Sequence, residues 1–279
     1  MRLSVHLTHD SIPAFRFGEA ERAVLLRAFP VAECTLCHNE AEFLTALETA
    51  EVACVWRFKQ EWFARAPKLK IISTPAAGRD YFHIAPPDGV RVLYGSFHGV
   101  IMAESVLGMM LAAVRSRQKI LRGAVVVILG FGAIGKHVAR LLAPFDCEII
   151  GIGRGNIGDL ETALARADHL VCVLPSDTGT DDIIGAHRLS LMKPSAFVYN
   201  VGRGNCIDED ALCGALNSER LAGAYLDVFK TEPLPSDSPL RRARNAVLTP
   251  HISAVAPEYM GLYAAELIEK IRKLGNLEI

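Results

Sequence analysis

The sequence comprises 279 residues, of which 51% are hydrophobic and 22% are charged, proportions that exclude a disordered tail, a collagen-like fibre and a small disulfide scaffold. Its 30 Lys and Arg residues nearly balance its 31 Asp and Glu residues, so the sequence predicts no basic face for nucleic acid and favours a small-molecule ligand. A chain of this length has room for one large domain or two modest ones.

The sequence shows neither a secretion signal nor a convincing membrane span. Its first ten residues, MRLSVHLTHD, contain no sustained apolar run. The most apolar stretch, residues 101–114, is interrupted by Glu104 and is shorter than a bilayer requires. We therefore expect a cytoplasmic protein without a membrane partner, in which the seven cysteines are reduced thiols.

The run CTLCH at residues 34–38 matches the C-x-x-C-H pattern of covalent haem attachment. That attachment requires export and usually a further axial ligand, and the sequence supports neither. A zinc site would need a fourth ligand that the run does not supply. We favour the end of a strand for this run, and we predict no metal site.

Residues 1–98 alternate short apolar runs with amphipathic stretches, which is typical of βα units. These segments are residues 2–7, 19–29, 52–56 and 69–74. Asn39 and Glu42 have the spacing of a helix cap with a reaching carboxylate, and they predict a helix over residues 40–49.

The second half of the chain is more regular. A strongly apolar helix is predicted over residues 101–115, and a final helix over 258–273. Short strands without polar alternation, typical of strands covered on both faces, are predicted at 125–129, 148–152, 169–174, 196–200, 222–227 and 246–248. Helices are predicted between most of them, at 134–142, 159–167, 182–192 and 209–216. This alternation predicts a doubly wound parallel sheet.

The run GFGAIG at residues 130–135 is a G-x-G-x-x-G turn between a predicted strand and a predicted helix. Gly130 would allow the tight turn, Gly132 a close approach of the backbone to a pyrophosphate, and Gly135 close packing of helix on strand. Ala133 and Ile134 would present backbone N–H groups at the start of that helix. The turn predicts a dinucleotide site.

The segment about 20 residues further on bears on the choice between NAD and NADP. An NAD site places a carboxylate there for the ribose 2′-hydroxyl, but the sequence reads GIGR at residues 151–154. Arg154 could neutralise a 2′-phosphate and form two hydrogen bonds with it, which favours NADP. Alternatively Arg154 is an ordinary surface arginine, and NAD remains open.

Three polar segments follow predicted strands: NVGRG at 200–204, DVFKTEP at 227–233 and TPHIS at 249–253. In open α/β sheets, ligands bind at the carboxyl ends of the strands. The segments deliver Arg203, Glu232 and His251 to that edge. An arginine suits a substrate carboxylate, a histidine suits proton transfer, and an acid can orient the histidine. These three residues are the predicted catalytic set.

Together with further motifs in the same order, these segments resemble the D-isomer-specific 2-hydroxyacid dehydrogenase family. The further motifs are AAGRD at 76–80, MAE at 102–104 and LPS at 174–176 with Thr178 and Thr180. The resemblance implies that Arg203 binds the carboxylate of a 2-oxo or 2-hydroxy acid. It further implies that His251 exchanges a proton with the substrate oxygen, and that Glu232 favours the protonated imidazole.

The same resemblance suggests the other binding residues. Asp227 would lie near the nicotinamide carboxamide, and the backbone at Ala77 and Gly78 would bind the substrate carboxylate from across a cleft between two domains. The remaining cofactor contacts that it implies are Leu174, Pro175, Thr180, Val201, Gly202 and Ser253.

The expected fold is α/β, with two Rossmann-like domains. Residues 99–254 would form the dinucleotide-binding domain, and residues 1–98 with 255–279 a smaller, discontinuous, flavodoxin-like substrate domain. Only residues 118–124 separate the apolar helix from the first strand of the nucleotide domain, where family members usually carry a longer segment that embraces a second subunit. A homodimer through the helix at 101–115 is expected nevertheless.

Two functions fit the sequence. The first is hydride transfer between NAD(P)H and a small 2-oxo acid such as glyoxylate or hydroxypyruvate. The second is a dinucleotide-sensing regulatory protein, similar to the corepressors on this fold, without metabolic turnover. The retention of an arginine, a glutamate and a histidine favours the first, because fold alone does not decide function. An S-adenosylmethionine enzyme with a similar glycine turn would leave these three residues unexplained.

Overall fold

The computed structural model describes residues 1–79 and 82–275. The chain divides into two compact units, Met1–His98 with Val255–Ile279, and Gly99–Ala254. Each unit is built on a parallel β-sheet with helices between its strands. The expected α/β fold is therefore confirmed.

The first unit contains a five-stranded sheet in the order β2-β1-β3-β4-β5, which is the flavodoxin-like order. Its strands are β1 (Arg2–His6), β2 (Glu33–Leu36), β3 (Val52–Val55), β4 (Ile71–Thr74) and β5 (Arg91–Tyr94). Its first two helices are α1 (Glu19–Ala28) and α2 (Glu40–Leu47). The sequence did not predict β5, which is only partly buried and contains an exposed arginine at its start.

Helix α2 begins with the predicted cap. Asn39 Oδ1 accepts a hydrogen bond from the Glu42 backbone N–H at 2.9 Å, and Glu42 Oε2 accepts one from the His38 N–H at 2.8 Å. The two side chains thus satisfy backbone donors that a helix start leaves without partners.

The cysteines of the C-x-x-C-H run lie in and directly after β2. Cys34 and Cys37 are both buried, and burial raises the pKa of the Cys34 thiol to about 11. A buried, protonated thiol is a poor metal ligand. All seven cysteines are free thiols, and the strand end favoured for this run is confirmed.

The second unit contains a six-stranded parallel sheet in the order β11-β10-β9-β8-β6-β7. Its strands are β6 (Val125–Leu129), β7 (Glu148–Ile152), β8 (His169–Cys172), β9 (Phe197–Asn200), β10 (Gly223–Leu226) and β11 (Ala246–Leu248). Its helices are α3 (Gly99–Ser116), α4 (Ala133–Leu142), α5 (Leu160–Arg166), α6 (Ala186–Leu191) and α7 (Glu209–Asn217). The last helix, α8 (Tyr259–Leu274), belongs to the first unit.

Strand β6 shows why the strands of this sheet lack polar alternation. Val127 and Leu129 pack into the apolar cluster on one face of the sheet, whereas Val126 and Ile128 pack into the cluster on the other. Burying one such side chain contributes about 1.5–3 kcal/mol to folding. The sheet order changes direction between β6 and β8, and this switch point is where ligands bind in open α/β sheets.

Helix α6 is shorter than the predicted helix over residues 182–192. Ile184 instead forms an isolated parallel bridge with Ile207, and its N–H donates to the Cys206 carbonyl at 2.9 Å. The apolar spacing of this segment therefore reflects an extended stretch followed by one short helix.

Helix α3 is long and apolar enough to cross a membrane if length and composition alone are considered, with a mean hydropathy of 1.4 over 18 residues. Core helices of water-soluble proteins meet the same criterion. Met102, Val106 and Met110 pack into an apolar cluster with strand β6, whereas Val100 and Leu111 are exposed. One face of α3 thus packs into the core of its unit, and the opposite face is exposed.

Candidate active site

The glycine turn follows β6 and is required in part by the packing of the chain. Gly130 has a φ of +103°, and a Cβ there would lie 2.5 Å from the Val173 carbonyl oxygen after β8. A Cβ at Gly135 would lie 2.5 Å from the Gly130 carbonyl oxygen. Both positions therefore need glycine for the local fold, whether or not a ligand binds.

Gly132 differs, because no atom lies within 4 Å of the position that its Cβ would occupy. The residue is the N-cap of α4, and Ala133 and Ile134 form the first turn. Space is therefore open in front of a helix N-terminus, whose first N–H groups lack partners within the helix. A pyrophosphate fits such a cradle, and a side chain at Gly132 would fill it.

Arg154 follows β7 and begins a 3-10 helix, Arg154–Asp159, at the exposed surface. Asn156 fixes this loop, because its amide donates to the Gly151 carbonyl at 3.0 Å and accepts from the Gly153 N–H at 2.8 Å. The guanidinium of Arg154 is thus carried at the carboxyl end of β7, the strand next to β6, where the sequence predicts the adenosine ribose.

The loop after β8 contains Leu174 and Pro175 and leads into a short 3-10 helix that includes Thr180. The Thr180 hydroxyl is within hydrogen-bonding distance of two carbonyl oxygens, that of Pro175 at 3.0 Å and that of Asp177 at 2.7 Å. Thr180 therefore stabilises the conformation of its own loop through local hydrogen bonds.

Asn200 positions the loop of Arg203, a role that the sequence pattern did not predict. The side chain is 1% exposed. Its amide donates to the Arg203 carbonyl at 3.0 Å, and its Oδ1 accepts the Gly202 N–H at 3.2 Å. Val201, also in this loop, is buried. The signal in the sequence was an amide at the end of an otherwise apolar strand.

Gly204 brings the Arg203 loop against the loop that carries Glu232. A Cβ at Gly204 would lie 1.9 Å from the Phe229 carbonyl carbon, so the backbones touch where any side chain would collide. The charge of Arg203 contributes to lowering the pKa of Glu232. The Arg203 guanidinium also donates to the Gly202 carbonyl at 3.0 Å.

Glu232 and His251 form a direct pair. His251 Nδ1 lies 2.7 Å from Glu232 Oε2, and the two side chains are 39% and 35% exposed. Glu232 Oε1 also accepts the Phe229 N–H at 3.0 Å. Burial raises the pKa of Glu232, but the hydrogen bonds from His251 and Phe229 and the charges of His251 and Arg203 together outweigh it, so the pKa is lowered. Glu232 is therefore an anion at neutral pH.

Asp227 follows β10, is 0% exposed and holds the segment that carries His251. Its Oδ1 accepts the Thr249 hydroxyl at 2.5 Å and the Ile252 N–H at 2.8 Å, and its Oδ2 accepts the Ser253 N–H at 2.7 Å. His251 itself has a φ of +56°, a left-handed conformation that costs a non-glycine residue about 1–2 kcal/mol.

Ala77 and Gly78 belong to the first unit, where they follow β4 at the carboxyl edge of that sheet. Ala77 is exposed, and the Thr74 hydroxyl accepts the Ala76 N–H at 3.2 Å at the start of this loop. Asp80, the last residue of the AAGRD motif, lies outside the described residues.

The structure brings the predicted catalytic set together on one sheet edge. Arg203, Glu232 and His251 lie on three loops that follow β9, β10 and β11, and all of the predicted cofactor contacts follow strands of the same sheet. Within residues 1–79 and 82–275, no group of three His, Cys, Asp or Glu residues is placed to hold a metal ion.

Comparison with known proteins shows which proteins this chain is similar to. The model of the D-isomer specific 2-hydroxyacid dehydrogenase NAD binding domain matches residues 107–253. Glyoxylate/hydroxypyruvate reductase B of Pectobacterium carotovorum is 34% identical over 251 residues, which cover 76% of this chain and 78% of that protein.

Two solved structures are similar over almost the whole chain. A D-isomer specific 2-hydroxyacid dehydrogenase of Xanthobacter autotrophicus, in complex with NADPH and MES, has a TM-score of 0.77 and 27% identity, and the match covers 97% of this chain and 95% of that one. An NADPH-dependent glyoxylate/hydroxypyruvate reductase of Sinorhizobium meliloti, in complex with NADP and sulfate, has a TM-score of 0.75 and 26% identity, with 98% and 95% covered.

Proposed function

The chain belongs to the D-isomer-specific 2-hydroxyacid dehydrogenase family, and we propose that it reduces a small 2-oxo acid, such as glyoxylate or hydroxypyruvate, with NADPH. It is an NAD(P)-dependent oxidoreductase of 2-hydroxy acids. The finer proposal, which concerns substrate and residue roles, rests chiefly on the 2.7 Å pair of Glu232 and His251 beside Arg203.

Each member of the set has a chemical task in reduction. The turn at Gly130 and Gly132 would hold NAD(P)H, which when bound would provide the hydride for the carbonyl carbon. The Arg203 guanidinium binds the substrate carboxylate with two parallel hydrogen bonds and polarises the adjacent carbonyl. His251, whose Nδ1 is bound by Glu232, donates a proton from Nε2 to the carbonyl oxygen and takes it back in the reverse direction.

Glu232 contributes to both the orientation and the charge of His251. The hydrogen bond to Nδ1 fixes the plane of the imidazole, and the anion stabilises the positive charge that His251 carries when it acts as the proton donor. The Phe229 N–H holds the second carboxylate oxygen, so the acceptor stays in place while the proton moves.

The preference for NADPH rests on the loop after β7. No carboxylate occurs in its GIGR sequence, and the exposed Arg154 offers a cation for a 2′-phosphate. Two similar solved proteins contain NADPH or NADP, which supports the same choice for this chain.

A steady-state assay tests the reaction. Purified protein is incubated with NADPH or NADH and with glyoxylate, hydroxypyruvate, pyruvate and longer 2-oxo acids, and absorbance reports cofactor oxidation. We expect the highest kcat/KM with NADPH and a two- or three-carbon acid. Binding of the dinucleotide without oxidation by any acid in the panel would contradict the proposal.

The cofactor site has its own test. Gly132→Ala should weaken NADPH binding by at least about tenfold, because the methyl group enters the space proposed for the pyrophosphate. Gly214→Ala in α7, which also meets no atom within 4 Å, serves as the control and should bind normally. Arg154→Ala should lower kcat/KM for NADPH and leave that for NADH nearly unchanged.

The regulatory alternative makes a different prediction for one variant. A dinucleotide sensor without turnover would bind NADPH and act equally well after His251→Ala, whereas the enzyme would lose turnover. The retention of Arg203 and of the paired Glu232 and His251 favours the enzyme.

We also propose a cytoplasmic homodimer. The open face of α3, with Val100 and Leu111 exposed, offers an apolar contact for a second copy. Light scattering should give twice the mass of the chain, and cell fractionation should recover the protein in the soluble cytoplasmic fraction. A monomeric mass or recovery with membranes would contradict this assignment.

A further inference from the structure

The segment that carries the proton donor adopts a conformation that a histidine does not favour by itself. His251 has a φ of +56°, in the left-handed region, which a side chain with a Cβ enters only when its surroundings compensate. The surroundings that could compensate are the hydrogen bonds made by the residues on either side.

One residue makes those bonds. The Asp227 carboxylate accepts from the Thr249 hydroxyl at 2.5 Å, from the Ile252 N–H at 2.8 Å and from the Ser253 N–H at 2.7 Å. The Asp227 carbonyl oxygen accepts the His251 N–H at 2.8 Å. Asp227 therefore accepts hydrogen bonds from residues before His251, from His251 itself and from residues after it.

We propose that Asp227 is a positioning residue for proton transfer: it holds His251 in the left-handed conformation that presents Nδ1 to Glu232. The proposal rests on the function proposed above. It assigns Asp227 a task separate from a contact with nicotinamide, because the three donors that its carboxylate accepts come from the chain's own residues 249–253.

The burial and the donor set support a role in holding backbone. The carboxylate is 0% exposed, and two of its three partners are backbone N–H groups of consecutive residues. Hydrogen bonds from N–H groups to a buried anion are stronger than those between neutral groups. Loss of one bond should therefore free the segment and loosen the pairing of His251 with Glu232.

The substitution Asp227→Asn tests this at nearly constant volume. Whichever carboxylate oxygen becomes the amide nitrogen, one backbone N–H, that of Ile252 or that of Ser253, loses its acceptor. We expect the single-turnover rate of NADPH oxidation by saturating 2-oxo acid to fall by about 10-fold to 100-fold. The dissociation constant for NADPH, measured by its fluorescence, should change by less than about threefold, since the affected bonds lie within the chain.

A second pair of variants keeps the test decisive if Asp227→Asn does not fold. Thr249→Val removes one of the three donors at similar volume, whereas Thr249→Ser keeps the hydroxyl. We expect Thr249→Val to slow the single-turnover rate more than Thr249→Ser does, with similar NADPH affinity for both.

The outcomes separate this inference from the proposed function. A weaker NADPH affinity for Asp227→Asn with a normal saturated rate would overturn the positioning role and make Asp227 a cofactor ligand. Equal rates for both Thr249 variants and for Asp227→Asn would overturn it as well. A wild-type protein that reduces no 2-oxo acid would instead refute the proposed function itself.

Discussion

The two ends of the second sheet each hold a histidine with a hydrogen-bonded partner, and the two pairs differ in every respect that matters for proton transfer. His169 begins β8 at the amino edge, is 3% exposed, and its Nδ1 lies 2.9 Å from the Tyr199 hydroxyl. His251 follows β11 at the carboxyl edge, and its 39% exposed side chain is paired with the Glu232 carboxylate.

Burial and the charge of the partner together decide what each imidazole can do. Burial lowers the pKa of His169 to about 4, because a desolvated cation next to a neutral phenol is disfavoured. The partner of His251 is instead a carboxylate whose own pKa is lowered, so it is an anion at neutral pH. In this sheet, the histidine at the amino edge is therefore buried beside a neutral partner, and the histidine at the carboxyl edge is partly exposed beside a charged one.

The largest effect should follow from removing the exposed imidazole. We expect His251→Ala to lower kcat about 1,000-fold, since general acid catalysis contributes about 10²- to 10⁴-fold, while NADPH affinity changes little. Steady-state kinetics and fluorescence titration measure both quantities. His169→Asn is the matched control at the other edge, and a similar loss of kcat in that variant would break the comparison.

A smaller effect is expected for the cation that accompanies the exposed pair. Arg203→Lys keeps the charge but loses the fork that binds both carboxylate oxygens, so kcat/KM for the 2-oxo acid should fall by about 100-fold. Kinetics with glyoxylate and hydroxypyruvate check this value. An unchanged kcat/KM would place the substrate carboxylate elsewhere.

Replacing the anion alone should convert the exposed pair into a neutral one, like that of His169. Glu232→Gln keeps a hydrogen-bond acceptor for Nδ1 but removes the charge, so we expect kcat for reduction to fall by about tenfold at neutral pH. Steady-state kinetics at pH 7 with saturating 2-oxo acid measure this fall. An unchanged kcat would show that the charge of Glu232 is unimportant.

The buried pair should affect stability instead of rate. Because the pKa of His169 is lowered from 6.5 to about 4, the unfolded chain binds more protons between these values, so the folded state loses stability as the pH falls through this window. The loss reaches about 3 kcal/mol below pH 4. Urea unfolding should show that the free energy of unfolding falls more between pH 7.5 and pH 4.5 for the wild type than for His169→Asn.

Much of the second unit could be predicted from local pattern. Strands β6, β7 and β11 have the predicted limits. Strand β6 is buried on both faces and appears in the sequence as an unbroken apolar run, whereas β7 and β11 are partly exposed edge strands whose residues are still mostly apolar. Strand β5 and the start of α6 were missed, because β5 begins with an exposed arginine and Ile184 forms only a single bridge. The roles predicted for the site residues remain predictions, which the variants described above would test.

The sequence by itself determined the residue types and their order: a glycine turn after a strand, then an arginine, a glutamate and a histidine, each after a later strand. This was possible because parallel strands deliver the residues that follow them to one edge. Only the tertiary structure decided that Asp227 and Asn200 hold the loops, that Gly132 alone among the turn glycines faces open space, and that His251 takes a left-handed conformation. These features depend on contacts between residues distant along the chain, which local sequence pattern does not encode.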